Sequence, residues 1–130
     1  MSGSGEISGN STDFYGGGVC VGKQGTFIMS DGKISGNIAG KKKDPGNSSA
    51  GGGVYVTGQF AKTGGTIYGY DANPDNNKVV DSGGNIVNNE GHAVYVKISD
   101  NPYTYYSKET TVTGNLFYNY PSTGTSSGWD

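Results

Sequence analysis

A chain of 130 residues with 25 Gly, 10 Tyr and a single Cys has room for one domain, or for a piece of a longer array. All nine cations are Lys, the net charge is −2 and the pI is near 5.2, which excludes the basic footprint that nucleic acid requires. No run approaches the roughly 18 apolar residues of a membrane span, no signal peptide is visible, and Cys20 can form neither an internal disulfide nor a zinc site.

The first predicted strand is Gly5-Glu6-Ile7-Ser8-Gly9-Asn10. It is followed by Gly16-Gly17-Gly18-Val19-Cys20-Val21 and then by Thr26-Phe27-Ile28-Met29. All three segments return in the same order. Gly32-Lys33-Ile34-Ser35-Gly36-Asn37 repeats the first, Gly51-Gly52-Gly53-Val54-Tyr55-Val56 the second and Gln59-Phe60-Ala61-Lys62 the third. Gly65-Thr66-Ile67-Tyr68-Gly69-Tyr70 and Gly84-Asn85-Ile86-Val87-Asn88-Asn89 continue the first series, with Asn115-Leu116-Phe117-Tyr118-Asn119 as a degenerate copy. Gly91-His92-Ala93-Val94-Tyr95-Val96 is the third copy of the glycine-led segment. Each segment alternates over three to five residues between Gly, Asn, Asp or Ser, the pattern of a short strand with tight corners.

Identical strands in fixed order can stack copy upon copy, each pairing in parallel with the next about 4.8 Å away. The expected fold is therefore all-β: a right-handed parallel β-helix, a solenoid of the pectin-lyase-like kind, with about four short coils. Residues 1–96 form the coils and the Tyr-rich stretch 97–130, which breaks the glycine rhythm, forms a C-terminal cap. Val19, Val21, Val54, Val56, Val94 and Val96 point inward. Ile7, Ile34, Ile67, Ile86 and Leu116 form a second inward stack. Three residues beyond these stand Asn10, Asn37, Tyr70, Asn89 and Asn119, and stacked Asn can form an amide ladder. Tyr70 is the exception, where an insertion opens the corner.

Candidate sites follow from what the strands leave outside. Cys20, Tyr55 and Tyr95, in the middle of the Val-x-Val strands, would form one solvent-facing column, read either as packing or as a platform for sugar rings. Lys41, Lys42 and Lys43 lie in an insertion that could dock an anionic surface. Asp71, Asn73 and Asp75 have the spacing of the first EF-hand ligands, but Asn76 replaces the loop Gly and Ser82 the bidentate acid, so no metal site and no cofactor are expected. His92 stands near Glu90 in a position that is Gly in the other copies, which reads as a turn and not as the base of a Ser-His-acid set.

The succession of GGGVYV, F-x-M and GxISGN segments resembles the right-handed β-helix repeats of bacterial cell-surface proteins, notably those of spirochaetes. The GHAVYV segment with its tail ending in Gly128-Trp129-Asp130 resembles the closing unit of such arrays. A looser similarity runs to polymorphic outer-membrane adhesins and autotransporter passengers. The resemblance implies an extracellular or cell-surface location and a non-catalytic adhesin, binding or display module. Its partner would be a host surface, glycan or protein, with end-to-end stacking on further repeats. The rival expectation is a carbohydrate-active enzyme or glycan-binding domain on the same scaffold.

Overall fold

The computed structural model describes residues 1–40, 49–100, 102–119 and 128–130; Lys41, Lys42 and Lys43 lie outside them. Among the described residues the chain is all-β, with no helix and no closed barrel, in four small sheets.

The sheets are assembled from equivalent segments. Strands β1 (Glu6–Ser8), β5 (Lys33–Ser35) and β9 (Thr66–Ile67) form one sheet. Strands β2 (Ser11–Thr12), β6 (Ile38–Ala39) and β10 (Lys78–Val79) form another. The glycine-led segments supply β3 (Val19–Val21), β7 (Val54–Val56) and β11 (Val94–Asp100), to which β12 (Tyr103–Lys108) is added. The fourth sheet joins β4 (Thr26–Met29), β8 (Gln59–Lys62) and β13 (Leu116–Tyr118). Every pairing between equivalent segments is parallel and in the expected register: Ile7 lies against Ile34 and Ile34 against Ile67, while Cys20 lies against Tyr55 and Tyr55 against Tyr95. Among the strand pairs of the described residues, β12 on β11 and β13 on β8 are antiparallel. Both close the same end of the stack.

The glycines make this stacking possible. Gly16, Gly51 and Gly91 head their strands with φ of +66°, +69° and +68°, a conformation only glycine adopts cheaply. At the following position the restriction is steric: a Cβ on Gly52 would come within 2.6 Å of the Lys78 nitrogen and 2.7 Å of the His92 oxygen. Successive segments could not then approach to strand distance.

The core is thin and continuous. Val54, Val56, Val94 and Val96 are fully buried with Ile34, Ile67, Met29 and Phe60. Alternation puts the middle residues of the same strands on the opposite face, where Tyr55 and Tyr95 pack with Ala50 in a separate cluster.

Two expectations are corrected. Ile86 does not extend the Ile7–Ile34–Ile67 stack. Asp81 Oδ1 accepts from the Gly83 and Asn85 N–H groups, the chain reverses, and Ile86 bridges back to Val80 in antiparallel fashion. This local turn, typical of an Asp followed by Gly, prevails over the repeat. Leu116 is buried, but β13 pairs antiparallel with β8, and the partner of Ile67 on the closing side is Val112.

The amide ladder exists, with a substitution. Asn37 Oδ1 accepts from Asn10 N–H (3.0 Å) and Nδ2 (3.1 Å), while Asn77 Oδ1 accepts from Asn37 N–H and Nδ2 at 2.9 Å each. Each rung also reaches back one unit: Asn37 Nδ2 donates to the Ile7 carbonyl and Asn77 Nδ2 to that of Ile34. Asn77, beyond the insertion, takes the place that counting from Ile67 would give to Tyr70. Asn89 and Asn119 instead turn left-handed corners, with φ of +66° and +51°.

Candidate binding face

The register that aligns Cys20, Tyr55 and Tyr95 builds a row of rings on the face away from the Val core. Tyr15 stacks on Tyr55 with centroids 4.5 Å apart, Tyr55 on Tyr95 at 5.8 Å and 5°, and Tyr95 on Tyr105 at 5.1 Å. Tyr103 continues the row at 5.7 Å from Tyr105, and its hydroxyl contacts that of Tyr95. Strand β12 is what completes it: pairing back on β11, it sets Tyr105 opposite Lys97.

The column expected to face solvent is therefore covered. Tyr55 and Tyr95 are 7 % and 2 % exposed, because Tyr15 closes one side and Tyr103 and Tyr105 the other. Burial raises both phenols above the ordinary tyrosine range, Tyr55 to about 12, with the ammonium of Lys97 pulling the other way at Tyr55. These two rings are packing, and what they leave for a ligand is the outer row. Tyr15, Tyr105 and Tyr103 are 36 %, 41 % and 56 % exposed. Cys20 is also exposed at the other end of the strand row. Residues whose place is set by β12 were not accessible to repeat matching, since β12 has no counterpart in the earlier units.

The remaining candidates separate. Asp71 Oδ1 is engaged by the backbone N–H and hydroxyl of Thr111, both at 2.8 Å. Asp75 contributes its main-chain carbonyl to Gly36 N–H. Asn73 lines an open cleft of about 330 Å³ with Tyr70, Asn76, Lys78 and Ile86. The structure does not bring three acids or other ligating side chains together among the described residues.

His92 lies in the bend that leads into β11, and it is buried. It is 1 % exposed beneath the ring of Tyr70, whose centroid lies 5.1 Å away. Its Nδ1 accepts from Val79 N–H at 3.0 Å, which fixes the neutral tautomer with the proton on Nε2. That atom faces Glu109 Oε2 at 3.3 Å without the alignment of a hydrogen bond. Glu109 in turn accepts from the N–H groups of Gly91 and His92. Glu109 was invisible to spacing, because it lies on the return from β12.

Burial holds the His92 imidazole below its ordinary pKa of 6.5, opposed by the Glu109 charge. Below pH 6.5 the unfolded chain takes up a proton that the folded chain refuses, so stability falls with pH over that window. Glu90 acts oppositely. Its carboxyl is raised by burial and by Glu109, so it binds its proton more tightly when folded and gains stability as pH falls toward 4.5. Replacing Glu90 with Gln should therefore steepen the acid loss of the urea midpoint between about pH 7.5 and 4.5. Replacing His92 with Gln should flatten it. Equal slopes in all three proteins would show that His92 does not titrate between these states.

No family model, curated protein or solved structure matches the chain.

Proposed function

We propose that the chain is a right-handed parallel β-helix closed at its C-terminal end, and that it acts as a non-catalytic module of a bacterial cell surface, binding or displaying through its tyrosine face. Parallel in-register pairing of equivalent segments supports the solenoid. Its hand follows from the strong right-handed preference of connections between parallel strands. The surface location rests on the resemblance of the GGGVYV and GxISGN repeats.

The observation that carries the binding reading is the outer rim of Tyr15, Tyr105 and Tyr103, held in place by the two buried rings behind it. Rings so fixed lose little freedom on contact, which suits stacking on sugar rings or apolar protein surface. Each contact contributes on the order of 1 kcal/mol, so repetition of the module would have to supply avidity. The closed environment of His92 supports the same side, since a ring engaged by Val79 N–H and shut beneath Tyr70 is not available to a substrate.

The test uses purified protein on immobilised glycans and on host-cell surfaces. Replacing Tyr103 and Tyr105 together with Ala should cut retention about tenfold or more, the effect of roughly two stacking contacts. Replacing Tyr70, an exposed ring that packs against His92 and not on this row, should leave it unchanged. Release of sugar products from any polysaccharide would instead favour the carbohydrate-active enzyme. Unaltered retention in a folded double variant would reject the tyrosine face.

A further inference from the structure

The two ends of the stack differ chemically. At the closing end, β12 and β13 run antiparallel along β11 and β8 and occupy their edges. At the other end β1, β2, β3 and β4 are all outer strands of their sheets. In β3, Val19 donates to Gly53 and the Val21 carbonyl accepts from Thr57, both toward β7. Alternation therefore turns the N–H and C=O of Cys20 to the open side. Ile7, Val19 and Phe27 at this end are only partly buried, whereas Ile34, Val54 and Phe60 one unit inward are fully so.

The Asn ladder says what would fit there, because it has a direction. Each Asn carbonyl accepts from the backbone and side-chain nitrogens of the Asn one unit earlier, and each Asn side chain donates to the Ile carbonyl one unit earlier. Asn10 gives its nitrogens to Asn37, but among the described residues its own Oδ1 accepts from nothing, and no earlier Ile receives its second Nδ2 proton. The missing partner must present an Asn N–H, an Asn side-chain amide and an Ile carbonyl, in parallel register and at strand distance.

We propose that this end is a docking template for one more parallel coil of the same repeat, joined ahead of Gly5 on the same polypeptide. The inference rests on the solenoid reading above and is independent of the binding reading. A second copy of this chain cannot supply the coil head-to-tail, since its corresponding end is covered by β12 and β13. Among the described residues Met1 stands in the way: its side chain packs against the core, its amino group donates to the Ile28 carbonyl and its carbonyl accepts from Ser30 N–H. It thus borrows part of the β4 edge.

The experiment is a fusion in which Met1–Ser4 is replaced by a duplicate of residues 5–31. The junction Asp31–Gly5 then reproduces the natural Asp31–Gly32 step, since Lys33 N–H already bonds to the Gly5 carbonyl as the next rung would. Backbone hydrogen exchange by NMR is read at Cys20 of the original unit. The expected result is at least tenfold slower exchange there, with unfolding in one transition at a higher urea midpoint. Asn10→Ala in the added copy should give back part of the gain. Unchanged exchange at Cys20, in a fusion that keeps the Ile7 to Ile34 contacts, would overturn the template while sparing the solenoid. Loss of those contacts in the parent chain would remove the solenoid itself. A parent chain that dimerises through this end, and is made monomeric by the fusion, would also overturn the proposal by naming a second copy as the occupant.

Discussion

Replacing Val54 with Asp should unfold the chain. Val54 is fully buried between Val19 and Val94 in adjacent strands, and its main-chain N–H bonds to the Ala93 carbonyl, so the side chain cannot swing to water without breaking the ladder. The side chains clustered with it are those of Val, Ile, Ala, Met, Phe and Leu, none of which can pair with a carboxylate, so the charge would be buried at high cost or be forced to bind a proton. The cost is several kcal/mol, comparable to the roughly 5–15 kcal/mol that holds a domain of this size together. Loss of dispersed NMR signals, or of the far-UV β spectrum at 25 °C, is the expected outcome. A cooperative transition with a midpoint near that of the parent would show that Val54 is not interior.

The second large effect is expected at Lys62. This side chain is fully buried, in register with Met29 on one side and Leu116 on the other, and its Nζ donates to the carbonyls of Gly65 (2.7 Å) and Gly114 (2.9 Å). Burial depresses its pKa below 10.5. Truncation to Ala would leave a cavity and remove the donor from two carbonyls, one on each side of the closing seam, at a cost of about 3–5 kcal/mol. Met would refill the volume and should recover part of that loss without restoring the bonds. The pH dependence has a definite sign. Between the depressed folded pKa and 10.5 the unfolded chain binds the proton more strongly, so stability supplied through Lys62 rises with pH over that interval. Denaturant midpoints from pH 8 to 10 should show this component in the parent and lack it in Lys62→Met. A slope unchanged by the substitution would show the ammonium to be solvated.

Lys62 illustrates how far the sequence could be read. Matching Gln59-Phe60-Ala61-Lys62 to Thr26-Phe27-Ile28-Met29 aligned Lys62 with Met29, but nothing nearby in sequence announced that this charge is buried or that the Gly114 carbonyl receives it. Where a segment recurred, period-two alternation and register were legible: the Val and Ile rows and the parallel pairing of Tyr55 with Tyr95 follow from it. Alternation assigned each tyrosine a face but not what covers that face, because the cover comes from β12, a strand with no earlier copy. The same reason hid Glu109 from His92 and reversed the pairing of Leu116. Local chemistry decided the other departure, since the Asp81 turn folds Ile86 back on Val80 before it can join its row.

The replacement of Tyr70 by Asn77 as the third rung separates loop length from frame geometry. From Ile7 to Asn10 and from Ile34 to Asn37 the chain takes the shortest path, whereas from Ile67 to Asn77 it makes a detour, yet the rung bonds to Asn37 at 2.9 Å, as close as the 3.0 and 3.1 Å of the rung before it. A position in the stack is thus defined by which amide arrives there and not by how many residues precede it. Loop closure penalises added length only as its logarithm, about 0.6 kcal/mol per doubling. The corner between Tyr70 and Asn77 is consequently a place where the surface can be rewritten, lengthened or exchanged for foreign sequence while the interior rows keep their order, provided that the chain returns with an asparagine.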